Sequence, residues 1–305
     1  MKTVRTLAGV GTVGIAVCVL SGPIVAQQPS ASPPLSQEEM FRRNVGSGED
    51  QRTQFPPHQI IGNLYYVGTN SLASFLVATP EGHILINTNW EDNVSVLQDS
   101  VEKLGFSFED IEIILGSHAH ADHMQGDARV QELTGAQVAA MAQDVPALEQ
   151  MRPGDKPHPI DRVLQDGEDV TLGGSTLVPR LTPGHTRGCT TWTMEMNHDD
   201  DETTPDLLVV VIGSMGSNPG FQFVNNTDNP GIADEYKQGF RVLRSLTPDV
   251  PLGSHPAMFD MTDKYARIGE ALNPYIDPDG YDRELDAVES LFLQVLAEQE
   301  AAARQ

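Results

Sequence analysis

The apolar run Ile111-Glu112-Ile113-Ile114-Leu115 stops at Gly116, and Ser117-His118-Ala119-His120-Ala121-Asp122-His123 follows at once. A short, nearly continuous apolar run reads as a strand buried on both faces. The histidines therefore emerge on a loop at the carboxyl end of that strand. His118 and His120 are two apart, so an extended backbone places both imidazoles on one side. Once the chain turns, Asp122 and His123 face a second point a few ångströms away. Imidazole suits zinc, and a carboxylate beside imidazoles leaves an open coordination position for water. Clusters of this kind bind metal far more often than they cap turns.

Two later histidines occupy settings of the same form. His185 lies in Leu181-Thr182-Pro183-Gly184-His185-Thr186, a strand end followed by a tight turn. His255 lies in Leu252-Gly253-Ser254-His255-Pro256, again just after a short apolar run. Each presents an imidazole at the same edge of the sheets as the triple-histidine segment. His58, His83, His158 and His198 have no such setting and are left out of the expected cluster.

The rest of the chain frames that edge with alternating strands and helices. Ser36 and Glu39 form a capping-box signature for a short helix. Brief strands are expected at Ile60-Ile61, Leu64 to Val67 and Leu72 to Val77, then a turn at Pro80-Glu81-Gly82 and a strand from His83 to Ile86. Val94, Leu97, Val101 and Leu104 recur at helical spacing. A helix is expected around 125–134, a strand over Gln137 to Met141, and a β-rich stretch from 162 to 196. The acidic segment His198 to Glu202 reads as a hairpin tip. Leu207 to Ile212 is a second buried strand and Val250 to Leu252 a final one. Tyr236, Phe240 and Leu243 mark one late helix, and Leu285, Val288, Phe292 and Val295 the face of the last. The pattern predicts two sheets packed together with helices outside, as one domain over residues 36–305.

The first residues belong to something else. Lys2 and Arg5 precede an uncharged apolar stretch from Thr6 to Leu20, and Ile24-Val25-Ala26 ends on a small residue. That is the layout of a cleaved export signal over residues 1–26, so a periplasmic or secreted protein is expected. Residues 27–35 are a proline-rich flexible linker. The full chain has 19 basic and 43 acidic residues. Loss of Lys2 and Arg5 makes it more negative still. Such a surface repels phosphate backbones, so nucleic acid is not an expected partner. No later apolar run approaches spanning length, so no membrane association is expected after cleavage. Of the two cysteines, Cys18 lies in the export segment and Cys189 would remain alone, without an intramolecular disulfide.

The ordered set HxHxDH, TPGHT and SHP, over roughly residues 55–275, resembles the metallo-β-lactamase superfamily, and within it the subclass B3 metallo-β-lactamases. The resemblance implies an α/β fold, a four-layer αβ/βα sandwich of two mixed sheets with helices on the outer faces. It implies two zinc ions, the first on His118, His120 and His185 and the second on Asp122, His123 and His255. At the end of strand 207–212, glyoxalase II, lactonase and tRNA-processing relatives carry a bridging aspartate, and subclass B1 and B2 enzymes a cysteine. Ser214 stands there in this chain, which is the subclass B3 pattern. Glutamate replaces His120 in the flavodiiron branch. Asp122 is implied to orient a zinc-activated hydroxide, and Ser214 to hydrogen-bond a metal-bound water. Asn87 stands where much of the superfamily has aspartate, and Phe221 where some subclass B3 enzymes have tyrosine. The implied activity is opening of the β-lactam ring of penicillins, cephalosporins or carbapenems, by a monomer acting on a small molecule. A same-fold hydrolase of another ester, lactone or amide, and an exported zinc-binding protein without catalysis, remain open.

Overall fold

Along the early strands, successive side chains alternate between two separate apolar cores. The computed structural model describes residues 35–197 and 205–305. The export segment, all but Leu35 of the linker, and the acidic tip His198 to Glu202 lie outside the described residues. A seven-stranded sheet runs in chain order through β1 (His58–Ile61), β2 (Leu64–Tyr66), β3 (Phe75–Thr79), β4 (Gly82–Ile86), β5 (Ile111–Leu115), β6 (Gln137–Met141) and β7 (Arg162–Leu164). β1 to β4 pair antiparallel, and β4 to β7 pair parallel. Phe75, Val77, Ile84, Ile86 and Leu115 enter the larger core. Leu76, Leu85, Ile114 and Val138 enter a second core on the opposite face. This is the period-two alternation of a sheet covered on both sides.

The second core is closed by helices. α2 (Val94–Lys103) contributes Val94, Leu97 and Val101 to this core, the helical face expected from their spacing, whereas α1 (Gln37–Val45) places Met40 in the larger one. The helix expected around 125–134 is α4 (Asp127–Thr134), which adds Val130 to the second core, and a further short helix, α3 (Ala121–Met124), precedes it inside the histidine motif. α5 (Val145–Leu148) follows β6.

The second sheet has the order β12-β11-β10-β9-β8, from β8 (Val170–Leu172), β9 (Ser175–Leu181), β10 (Thr190–Met196), β11 (Leu207–Ile212) and β12 (Val250–Gly253). Only β11 and β12 pair parallel; the others are antiparallel. Trp192, Met194 and Val209 to Ile212 share the larger core with the inner face of the first sheet. α6 (Ile232–Arg244) and α8 (Pro278–Ala303) supply Tyr236, Phe240, Leu285, Val288 and Phe292 to the same core, and α7 (Met261–Ala266) lies between them in sequence. The α/β architecture is thus two mixed sheets with helices packed on them, as expected. Among the described residues no helix is long and apolar enough to cross a membrane.

One strand differs from expectation. β3 begins at Phe75 rather than Leu72. The Ala73 N–H leaves the sheet to donate to the Ser254 carbonyl at 3.0 Å, and Thr69 N–H closes a turn on the Leu72 carbonyl. Ala73 is thereby tied to the segment carrying His255 and Leu72 is buried within the turn, which local alternation cannot reveal.

Candidate metal centre

β9, β11 and β12 end at one edge of their sheet, because β9 and β11 both run antiparallel to β10 and β12 runs parallel to β11, and the loop after β5 in the other sheet meets them there. Loops at the carboxyl ends of strands are where open α/β sheets gather ligands. Here they bring six predicted side chains together. One ligand atom each from His118, His120 and His185 lies within 4.8 Å of the others, and the same holds for Asp122, His123 and His255. The two sets adjoin, since the rings of His118 and His123 are 4.2 Å apart, centroid to centroid. His120, His185 and Asp122 are half-buried, whereas His118, His123 and His255 are buried. The cluster therefore opens to solvent on one side.

Local backbone explains the aim of each ring. His120 is extended and immediately precedes α3, so the chain turns between His120 and Asp122. Thr88 and Asn89 donate backbone N–H groups to the His123 carbonyl at 2.9 and 3.0 Å, which pins the helical turn. Gly184 sits at φ +138°, and a Cβ there would lie 2.8 Å from the Tyr236 ring, so the turn before His185 needs glycine. The outer nitrogen of several rings is already engaged. His185 Nδ1 pairs with the Gly216 carbonyl at 2.7 Å, His255 Nδ1 with the Ser71 carbonyl at 2.9 Å, and His118 Nδ1 with Ser117 Oγ at 3.1 Å. Such outer bonds fix tautomer and orientation and leave Nε2 facing inward.

The donor set fits a pair of divalent cations. His118 Nε2 and both ring nitrogens of His123 are buried without a hydrogen-bond partner. Leaving polar atoms so is costly unless a ligand satisfies them. His120 Nδ1 and His185 Nε2 are 3.1 Å apart, close to the roughly 3.3 Å between ligands tetrahedrally placed at zinc–nitrogen bonds of about 2.0–2.1 Å. Burial, reinforced by the surrounding imidazoles, pushes His118 well below the ordinary histidine range. Burial likewise lowers His123 to about 3 against the opposing charge of Asp122, and His185 to about 3. His255 is lowered for the same reason. Burial opposes ionisation of Asp122, but the rings of His123, His255 and His120 outweigh it and hold its carboxyl low. Neutral imidazoles beside an ionised carboxylate are the states a cation binds.

Ser214 follows β11 and shares a small recess with His185, Met215 and Tyr236. Cys189 lies behind it, its buried thiol donating to the Ser214 carbonyl at 3.4 Å and pushed up to about 12 by burial. That is an inert core thiol. Phe221 packs on Phe223, with centroids 5.1 Å apart. Nearby, Asn226 spends its amide on its own turn, accepting from Asp228 and Asn229 and donating to Gln222. Asn87 keeps the role of a loop support. Its Oδ1 accepts the Ser117 N–H at 2.9 Å. Sequence reasoning missed Ser71, the Gly216 carbonyl and Asp144; the first two act through backbone oxygens, which carry no residue signature.

The metallo-beta-lactamase superfamily profile matches residues 68–198. The FEZ-1 metallo-beta-lactamase from Legionella gormanii is 42% identical, with 82% of this chain and 98% of that chain covered at a TM-score of 0.77. The chain belongs to the metallo-β-lactamase superfamily. Its resemblance to subclass B3 extends to BJP-1, a subclass B3 metallo-beta-lactamase of Bradyrhizobium japonicum, at 34% identity and a TM-score of 0.75 over 84% of this chain and 98% of that one. Curated relatives of another activity match over less. A hydroxyacylglutathione hydrolase of Fuscovulum blasticum is 36% identical over 75 residues, 25% of this chain and 26% of that enzyme. One from Maricaulis maris is 30% identical over 123 residues, 40% of this chain and 43% of that enzyme. The chain thus matches between about a quarter and two fifths of the length of these hydrolases. Superfamily membership gives this chain a metallo-β-lactamase-type hydrolase fold, and it implies a dinuclear metal centre with these two side-chain sets as its holders.

Proposed function

We propose that the chain is a two-zinc hydrolase that opens the β-lactam ring of penicillins, cephalosporins or carbapenems. The observation that carries this reading is the composition of the second set: Asp122 and His255 are completed by His123 from the motif itself. Ser214, at the end of β11, offers no carboxylate to bridge two metals. A bridging aspartate at that position is what the glyoxalase II type has. Near end-to-end similarity to FEZ-1 and BJP-1 supports the same substrate class.

Two zinc ions would supply Lewis acidity towards a carbonyl oxygen and ionise water near neutral pH. The side chains do the rest. His118, His120 and His185 hold one cation and Asp122, His123 and His255 the other. The half-buried Asp122 carboxylate orients the attacking water and takes up its proton. Ser214 offers its hydroxyl as a hydrogen bond beside His185. It is not a nucleophile, because His185 spends Nδ1 on Gly216 and turns Nε2 to His120, leaving no base for Oγ. The protein would act as a monomer, exported by cleavage near Ala26; N-terminal sequencing of periplasmic protein and its sedimentation test those two points.

A second reading, hydrolysis of a thioester, lactone or other ester, is favoured by the partial matches to hydroxyacylglutathione hydrolases. Purified protein assayed for zinc content and against a penicillin, a cephalosporin, a carbapenem, a lactone and an S-acylglutathione separates the two. The expected result is about two zinc ions per chain and β-lactam turnover that chelation abolishes and zinc restores. Thioester or lactone turnover without β-lactam turnover would replace the first reading with the second.

A further inference from the structure

We infer that Asp144 is a positioning residue that sets the cation affinity of the first ligand set, His118, His120 and His185, selectively over the second. The inference rests on the two-cation reading above. Asp144 lies beyond the carboxyl end of β6, immediately before α5, and is buried. Its Oδ2 accepts the Ala119 N–H at 2.8 Å and the Thr186 hydroxyl at 2.8 Å, and its Oδ1 accepts the Gly188 N–H at 2.7 Å. Ala119 is the residue between His118 and His120, and Thr186 is the residue after His185. One carboxylate therefore ties together the two chain segments, remote in sequence, that carry all three histidines. Gly188 is required for this approach, because a Cβ there would lie 2.6 Å from the Asp144 carboxyl carbon.

The placement is selective. Ala119 sits between two ligands of the first set and Thr186 and Gly188 follow the third, whereas none of the donors adjoins Asp122, His123 or His255 in sequence. The second set is held by other contacts, through Thr88 and Asn89 on the His123 carbonyl and Ser71 on His255. The charge is selective as well. The first set consists of three imidazoles, whereas the second includes Asp122 as its own anion. A buried carboxylate without a lysine or arginine partner is costly. Three hydrogen bonds to the anion compensate in part, and a cation held by the adjoining histidines supplies the opposite charge.

Asp144→Asn keeps the shape but removes the charge, and its amide group must face either Gly188 N–H or the Ala119 and Thr186 donors. Zinc-loaded wild type and variant are titrated with chelators of graded strength. Cobalt(II) titrations of the two are read by ligand-field absorption. His185→Ala and His255→Ala provide the reference spectra for a single remaining set. The expected result is roughly 10- to 100-fold weaker binding at the first set, with the second set unchanged. Thr186→Val, which removes one donor and leaves the anion, should shift the same set by a smaller factor. It carries the test by itself if Asp144→Asn fails to fold. Equal weakening at both sets, or wild-type affinity at the first, overturns the inference while leaving the two-zinc reading intact. Wild-type protein that binds no metal overturns both.

Discussion

Asn87 shows how a residue type can be chosen by two neighbours at once. It is buried at φ +62°, a left-handed conformation that asparagine tolerates better than most side chains. Its Oδ1 accepts from Ser117 N–H, and its Nδ2 donates to the Ala73 carbonyl at 3.3 Å. An aspartate keeps the first bond and turns an anion towards the second carbonyl. Asn87→Asp is therefore expected to lower unfolding stability by about 1–3 kcal/mol, measured by denaturant titration. Asp122 belongs to the same scale but to chemistry rather than stability. Asp122→Asn is expected to reduce kcat on a β-lactam by about two to four orders of magnitude. Its circular dichroism should match wild type. Wild-type turnover in this variant would remove Asp122 from the mechanism.

At the scale of elements, the histidine motif is braced from behind by α4 and the loop before β7. Asp127 opens α4, its Oδ1 accepts the Thr88 hydroxyl at 2.6 Å, and His158 Nε2 lies 3.1 Å from its Oδ2. His158 Nε2 also faces the Met124 carbonyl at 3.1 Å. Burial pulls the His158 imidazole down, but Asp127 and the carbonyls of Met124 and Pro159 outweigh it, so its pKa is raised in the folded protein. A raised histidine stabilises fully below its unfolded value of about 6.5, and that stabilisation is lost as pH climbs through the higher folded value. The difference in melting temperature between wild type and His158→Gln should therefore be widest below about pH 6.5 and narrow as pH rises. A difference independent of pH would show that the pair is not charged. Sequence left His158 aside because its partner lies 31 positions away, by the numbering of the two residues. Most elements were nevertheless legible. Period-two and helical spacings follow from which face is buried, as in β4 and α2. β3 was misplaced at its start because Leu72 and Ala73 are buried in a turn outside the sheet.

For the whole molecule, metal and fold are linked. Six side chains from three separate segments converge, and His118 and His123 are buried there with unpartnered nitrogens. A cation that binds only the folded chain stabilises it by mass action, by about 4 kcal/mol at a thousandfold excess over its Kd. Chelation should accordingly lower the melting temperature by roughly 10 °C, read by scanning calorimetry, and zinc should restore it. A melting temperature indifferent to chelator would separate the cluster from metal altogether.

The amino-acid order fixed the identity of the six converging side chains, because four of them fall within six consecutive positions and the other two follow strand-like runs. It also fixed the layering, since burial on two faces of a sheet is written in alternation along each strand. Convergence itself, and the supports that aim the rings, were settled by packing. Hydrogen bonds accepted by Asp144, Asn87 and the Ser71 and Gly216 carbonyls join segments far apart in the chain. Directional bonds of this kind depend on where two sheets come to rest against each other, and no local periodicity encodes that.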